Sequence, residues 1–199
     1  VLVNDIEWLG GQFSAEGVGC ADEWTVVNGR RTHFPRSGLF LEVLGRMRAY
    51  NSLTYGKSSP GNAFCGTETI EPAAAAQIFE DLLAPAIQQG RLHVTRGWQP
   101  THVQVDGQRV HSVSVAPTKG GPGRLEIRAR LTIDASDWGD VIRLSGARYG
   151  AGPDLKSRFG EASAPESYDE AGRQEMNPLS WCMVLRETGG YAATIPKPP

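Results

Sequence analysis

The chain has 199 residues and a net charge of −2, with 20 Lys+Arg against 22 Asp+Glu and no long run of either sign. That length is enough to bury a core, and the even charge leaves no electrostatic footprint for nucleic acid or an anionic membrane. No apolar stretch reaches the roughly 18–20 residues of a membrane-spanning helix, and the first residues lack the basic-then-apolar pattern of a signal peptide.

Three cysteines, Cys20, Cys65 and Cys182, are widely spaced and odd in number. That fits neither a disulfide framework nor a paired CxxC zinc site, so a reduced, cytoplasmic setting is expected. Taken alone, Cys20 reads as a small buried hydrophobe more readily than as a redox thiol.

In chain order, "VLVND" reads as a buried strand with no polar lead-in, and "YAATIPKPP" stops on prolines without a closing element. Both ends read as cut, and the chain as a fragment. Behind the first strand, Gly10 and Gly11 read on their own as a tight turn. The segment "GRRTHFPR" reads as a polar loop; its arginines Arg30, Arg31 and Arg36 read as solvated, and His33 is the one histidine placed to act as a base. Residues 38–50 place Leu39, Phe40, Val43, Leu44 and Met47 at helical spacing, with Arg46 and Arg48 on the other side. The turn-forming residues of 55–66 predict a loop that carries Asn62, Phe64 and Cys65. Residues 71–90 predict the clearest helix: Pro72 stands in the first turn, four alanines follow, and Gly90 stands where a C-terminal cap belongs. Pro85 is expected to end or kink it.

From Arg91 the apolar period changes to two, and the Asp106-Gly107 pair signals a hairpin. A three-stranded antiparallel meander is expected, feeding a strand "RLTIDAS". That strand ends in the small residues Ala135 and Ser136 and then "DWGD", the kind of bend where a sheet meets a ligand. Here Asp134 reads as structural, satisfying loop amides, and Trp138 as a shield or a packing residue. A domain crossover is expected near residue 150, with a strand-like run over 178–187. His93, His102 and His111 fall in the alternating region, and the four histidines share no spacing suited to a metal, so none is expected.

Taken in order, "WLGGQFSAEGV", "PGNAF", "EPAAAAQIFEDLLAP", the meander, "LTIDASDWGDVIRLSGARYGAG" and "WCMVLRE" resemble the FAD-dependent oxidoreductases of glutathione-reductase-like fold, in particular bacterial members with a WLGGQ-type segment. The resemblance runs from residue 1 to about 187. It implies an α/β fold, a doubly wound Rossmann-type FAD-binding domain over 1–150 with an inserted antiparallel meander, and the start of a substrate-side domain over 151–199. It further implies that the first strand, GxGxxG turn and helix of the dinucleotide unit, about thirty residues, are missing before Val1.

By the same resemblance, Asn4 stands where the family carries an acid for the adenosine ribose, with Asp5 beside it; an Asn bonds a hydroxyl without charge assistance. Gly10 and Gly11 would let the backbone approach the flavin, with Gln12 and Ser14 as hydrogen-bond partners. Ala135 and Ser136 would let the cofactor lie over the backbone, and Asp140 matches the acid near the ribityl and phosphate part of FAD. The implied function is a fragment of an oxidoreductase in which FAD accepts a hydride from a small organic substrate. Two alternatives stand beside it. One is a truncated, non-catalytic α/β binding or assembly module; the other is a polysaccharide lyase or hydrolase, for which no convincing carboxylate pair is present.

Overall fold

A computed structural model describes residues 1–21, 24–33, 35–61 and 68–169, together with Gly172, Met176, Cys182, Gly189, Gly190 and Thr194. The expected strand over 178–187 lies outside the described residues except for Cys182, and so do Asn62, Phe64 and Cys65. Helices and both parallel and antiparallel sheets are present, an α/β composition. The chain divides into two compact units, Val1–Glu7 with Val94–Ser180, and Trp8–His93 with Trp181–Pro199. The crossover expected near residue 150 falls within the first.

The first unit opens with strand β1 (Leu2–Asn4). Its neighbour is β4 (Val94–Arg96), paired parallel in the register Leu2 with Val94, Val3 with Thr95 and Asn4 with Arg96. Gly97, at φ 69°, ends β4 in a left-handed conformation that favours glycine. The chain then enters the antiparallel meander β5 (Trp98–Asp106), β6 (Arg109–Pro117) and β7 (Leu125–Arg128). The hairpin turns at Asp106-Gly107 as expected, with Asp106 opposite Arg109. Alternation puts Val103, Val113 and Val115 on one buried face. Val3, Trp98, Ile127 and the α3 residues Val141 and Leu144 pack against that cluster; α3 spans Asp140–Ser145. The opposite face of the meander is polar: Arg124 donates to the buried Ser114 hydroxyl at 2.8 Å, and the Ser112 hydroxyl donates to Gln104. A short helix α4 (Lys156–Phe159) follows, tied by the exposed pairs Arg158–Asp154 and Lys156–Glu166.

The expected strand "RLTIDAS" is not paired. Residues 131–136 belong to no ladder among the described residues, and Leu131 and Ile133 stand 76% and 78% exposed. The apolar alternation is real, but a strand exists only where a neighbour takes its backbone hydrogen bonds.

In the second unit, β2 (Trp24–Val27) and β3 (Arg30–His33) form an antiparallel hairpin. The turn is Asn28-Gly29, both at positive φ, 51° and 73°, the geometry that Asn-Gly favours in two-residue hairpins. His33 therefore lies at a strand end and not in a polar loop. Helix α1 (Gly38–Tyr55) is capped by the Ser37 hydroxyl, which accepts from the Phe40 amide, and ends at Gly56. It runs five residues past the expected end and buries Val43, Leu44, Met47 and Asn51, while Leu39 falls off that face and is exposed. Helix α2 (Pro72–Gln88) buries Ala75, Ala76 and Ile78. Pro85 does not end it: three further residues remain helical, because so close to the C-terminus the missing amide costs one bond and the Pro85 carbonyl still accepts from Gln89. Both helices feed one cluster of Ala21, Val43, Leu44, Met47, Ile70, Ala75 and Ile78.

Leu44 is fully buried at the centre of that cluster. Leu44→Ala is expected to cost about 2–5 kcal/mol, read as a lower urea midpoint. Leu53→Ala on the same helix, at a residue 89% exposed, is expected to change stability by less than about 0.5 kcal/mol.

Candidate functional site

The bend after Ile133 is organised by one carboxylate. Asp134 Oδ1 accepts from the Ser136 amide at 3.1 Å and the Ser136 hydroxyl at 2.7 Å, while Oδ2 accepts from the Ile142 amide at 2.9 Å. The Ser136 oxygen in turn accepts from the Asp140 amide at 2.8 Å. Partial burial pushes the Asp134 carboxyl up, but bonds from the Ser136 hydroxyl and the amides of Ile142, Ser136 and Val141 outweigh it and hold the group below its ordinary value. Asp134 is thus structural, as its position suggests.

What this carboxylate holds open is a run of accessible chain. Ala135, Ser136, Asp137 and Trp138 are exposed, and Gly139 turns at φ 63° into α3. Asp140 is the first residue of α3, half-buried, with Oδ1 accepting from Arg143 at 3.4 Å.

Asn4 and Asp5 lie at the end of β1, in the same unit. The Asn4 amide donates to the Ile6 carbonyl at 2.8 Å. The Asp5 carbonyl accepts from the Thr118 hydroxyl at 3.2 Å, and its side chain is exposed. Val3 of β1 and Val141 of α3 pack on the same valine cluster, so one core supports both the strand end and the bend.

The glycine pair belongs to the second unit, and there its geometry has a local cause. Gly10 adopts φ 118°, and a Cβ there would stand 2.5 Å from the Phe79 ring and 2.8 Å from the Ser14 hydroxyl. The space over Gly10 is therefore filled by the protein itself. Gly11–Phe13 form one 3-10 turn, which places Phe13 between Phe40 and Phe79. Ser14 is buried and its hydroxyl donates to the Leu9 carbonyl at 2.7 Å. Burial and this bond commit the Ser14 hydroxyl to closing the loop. Gln12 remains half-buried on the turn.

Cys20 departs furthest from expectation. It is completely buried and disulfide-bonded, whereas Cys182 is free and exposed. An odd count of widely spaced cysteines gives no sign of that bond, because the count cannot show which cysteines the fold brings together. His93, His102 and His111 are exposed, and among the described residues no three His, Cys, Asp or Glu side chains gather as metal ligands. No described helix is long and apolar enough to cross a membrane. An open concavity beside the hairpin end, lined by Asp106, Arg109, His111, Arg128 and Arg130, contains none of the site residues.

A family model described as FAD dependent oxidoreductase matches residues 1–193. The chain belongs to that family of flavoproteins, and its cofactor is FAD. Comparisons with curated proteins and with solved structures give no match. At the bend, the exposed Ala135 and Ser136 put little side-chain bulk over the backbone, which is compatible with such a group. The Gly10 turn offers no comparable room.

Two outcomes follow from this geometry. Because Asp134 is depressed in the folded state, its contribution is fully present above the ordinary carboxylate range near pH 4 and is lost as pH falls through the depressed value. The stability gap between wild type and Asp134→Asn is expected to be widest near neutrality and to close below about pH 4, measured by urea midpoints across pH; a gap independent of pH would contradict this. Gly10→Ala is expected to lower the thermal midpoint of flavin-free protein by an amount equivalent to at least about 1 kcal/mol. Gly45→Ala, in α1 with open space at the Cβ position, is expected to stabilise by about 0.5–1 kcal/mol.

Proposed function

We propose that this chain supplies part of the FAD-binding scaffold of an oxidoreductase that takes a hydride from a small organic substrate. The observation that carries the reading is the bend at 134–140, held open by Asp134 at the end of an extended apolar segment. Family membership supports FAD as the ligand, and this reading puts it at the bend. When bound, FAD supplies the hydride acceptance; the chain's own residues bind and orient it.

Within the first unit, Ala135 and Ser136 provide the low wall over which the cofactor lies. Asp140 serves the ribityl and phosphate side through its carboxylate. Asp5 offers an exposed carboxylate to the ribose hydroxyls, a stronger acceptor than the neighbouring Asn4 amide.

The sheet of this reading is doubly wound. The chain contains no GxGxxG sequence, so the helix N-terminus that holds a dinucleotide pyrophosphate has to come from outside these residues.

Purified alone, the 199-residue chain is expected to hold FAD well below one equivalent, read from flavin absorbance against protein. Fused at its N-terminus to a strand-turn-helix carrying GxGxxG, it is expected to approach one equivalent. In that fusion, Asp140→Ala is expected to weaken FAD binding by about tenfold, the scale of one hydrogen bond to a charged group. Stoichiometric flavin on the chain alone, or an unchanged affinity in the Asp140 variant, would count against the assignment.

A further inference from the structure

We propose that the disulfide at Cys20 is a permanent structural staple, closed in an oxidising compartment, and not an exchangeable partner in redox chemistry. The proposal is independent of how FAD is held. Cys20 is disulfide-bonded and wholly inaccessible. The backbone around it is already in register with a second segment: the Ile70 amide donates to Gly19 at 2.8 Å, the Ala21 amide to Glu68 at 3.4 Å, and Cys20 and Thr69 form an antiparallel bridge.

That second segment is anchored to α1 as well. The buried Asn51 amide donates to the Thr69 carbonyl at 2.6 Å and to the Ser58 carbonyl at 3.1 Å, and Arg48 pairs with Glu68. Ala21 and Ile70, on either side of the bridge, are both part of the buried cluster on α1 and α2. Cys20 therefore lies where hydrogen bonds and apolar packing independently hold two segments together.

Exchange requires a thiolate to approach one sulfur of the bond in line with the other. Burial denies that approach at the Cys20 sulfur, and an attack on its partner would have to expel a Cys20 thiolate into a site that solvent does not reach. A reactive cysteine also needs partial exposure and a stabilising positive charge, and Cys20 has no exposure at all. Forming the bond removes two protons and two electrons from two thiols, and a disulfide-bearing exchange catalyst takes up the electrons and becomes a dithiol. In a glutathione-reduced cytosol such a bond does not persist as a structural element. The compartment in which this chain folds is therefore an oxidising one, opposite to the expectation drawn from the cysteine count.

Alkylation followed by intact-mass measurement tests this on protein produced in a bacterial periplasm. The chain has three cysteines and Cys182 is free. One alkyl group is expected after denaturation without reductant, and still one when the folded protein is first treated with millimolar dithiothreitol and the reductant is then removed. Three are expected after reduction in denaturant. Cys20→Ser is expected to raise the unreduced count to two, and Cys182→Ser to lower it to zero. Protein made in a reducing cytosol is expected to melt about 5–15 °C lower. Two or three groups on unreduced wild type, three after dithiothreitol on the folded state, or equal melting of the two preparations would each overturn the proposal.

Discussion

A parallel ladder of three residue pairs, Leu2 with Val94, Val3 with Thr95 and Asn4 with Arg96, closes the first unit. It joins segments separated by some ninety positions, and Trp8–His93 of the second unit lie between them in the chain. Three pairs make a short ladder, so its persistence rests on what lies beneath it: Val3 packs on Val103, Val113 and Val115, the buried face of the meander. The same valines receive Val141 and Leu144 of α3. The end of β1 and the start of α3 are thereby fixed to one core, and the residues assigned to the cofactor on this unit, Asp5 and Asp140, inherit their positions from apolar packing.

Polar groups in this protein are mostly occupied with the fold. Asp134 satisfies two amides and a hydroxyl, Ser14 closes the loop after Leu9, and Asn51 holds two carbonyls of the segment that returns beneath α1. Each is the kind of residue that attracts a catalytic interpretation when read in isolation. The groups left facing solvent around the bend are Ala135, Ser136, Asp137 and Trp138; in the proposed function the chemistry belongs to the cofactor and the protein part is shape and orientation.

The second unit depends on α1 and α2 meeting through Leu44, Met47, Ala75 and Ile78. Phe13 packs against their Phe40 and Phe79, so the 3-10 turn of the WLGGQ segment is set by the helices behind it. The disulfide at Cys20 adds a covalent tie at the margin of this core. It does so where a bridge, two main-chain hydrogen bonds and one from the Asn51 side-chain amide already fix the register.

Local signals were sufficient for much of this. Pro72 and Gly90 mark the ends of α2 through proline geometry and capping, and Asp106-Gly107 marks its hairpin. The structural role of Asp134 was legible from a short acidic residue at a bend. Asn28-Gly29 carried an equally plain hairpin signal that the polar, arginine-rich flanks obscured, and His33 was misplaced with it. Long-range pairing was not legible. Period-two alternation in 129–135 shows that residues suit a strand, not that a partner stands beside them. Wide cysteine spacing does not show which loops return to one another, and two adjacent glycines do not show that a phenylalanine ring from a helix nearly seventy residues later fills the space above them. Composition and local pattern determined which segments fold and which family they belong to, because those depend on neighbours in the chain; tertiary structure decided which polar groups remain available, because that depends on neighbours in space.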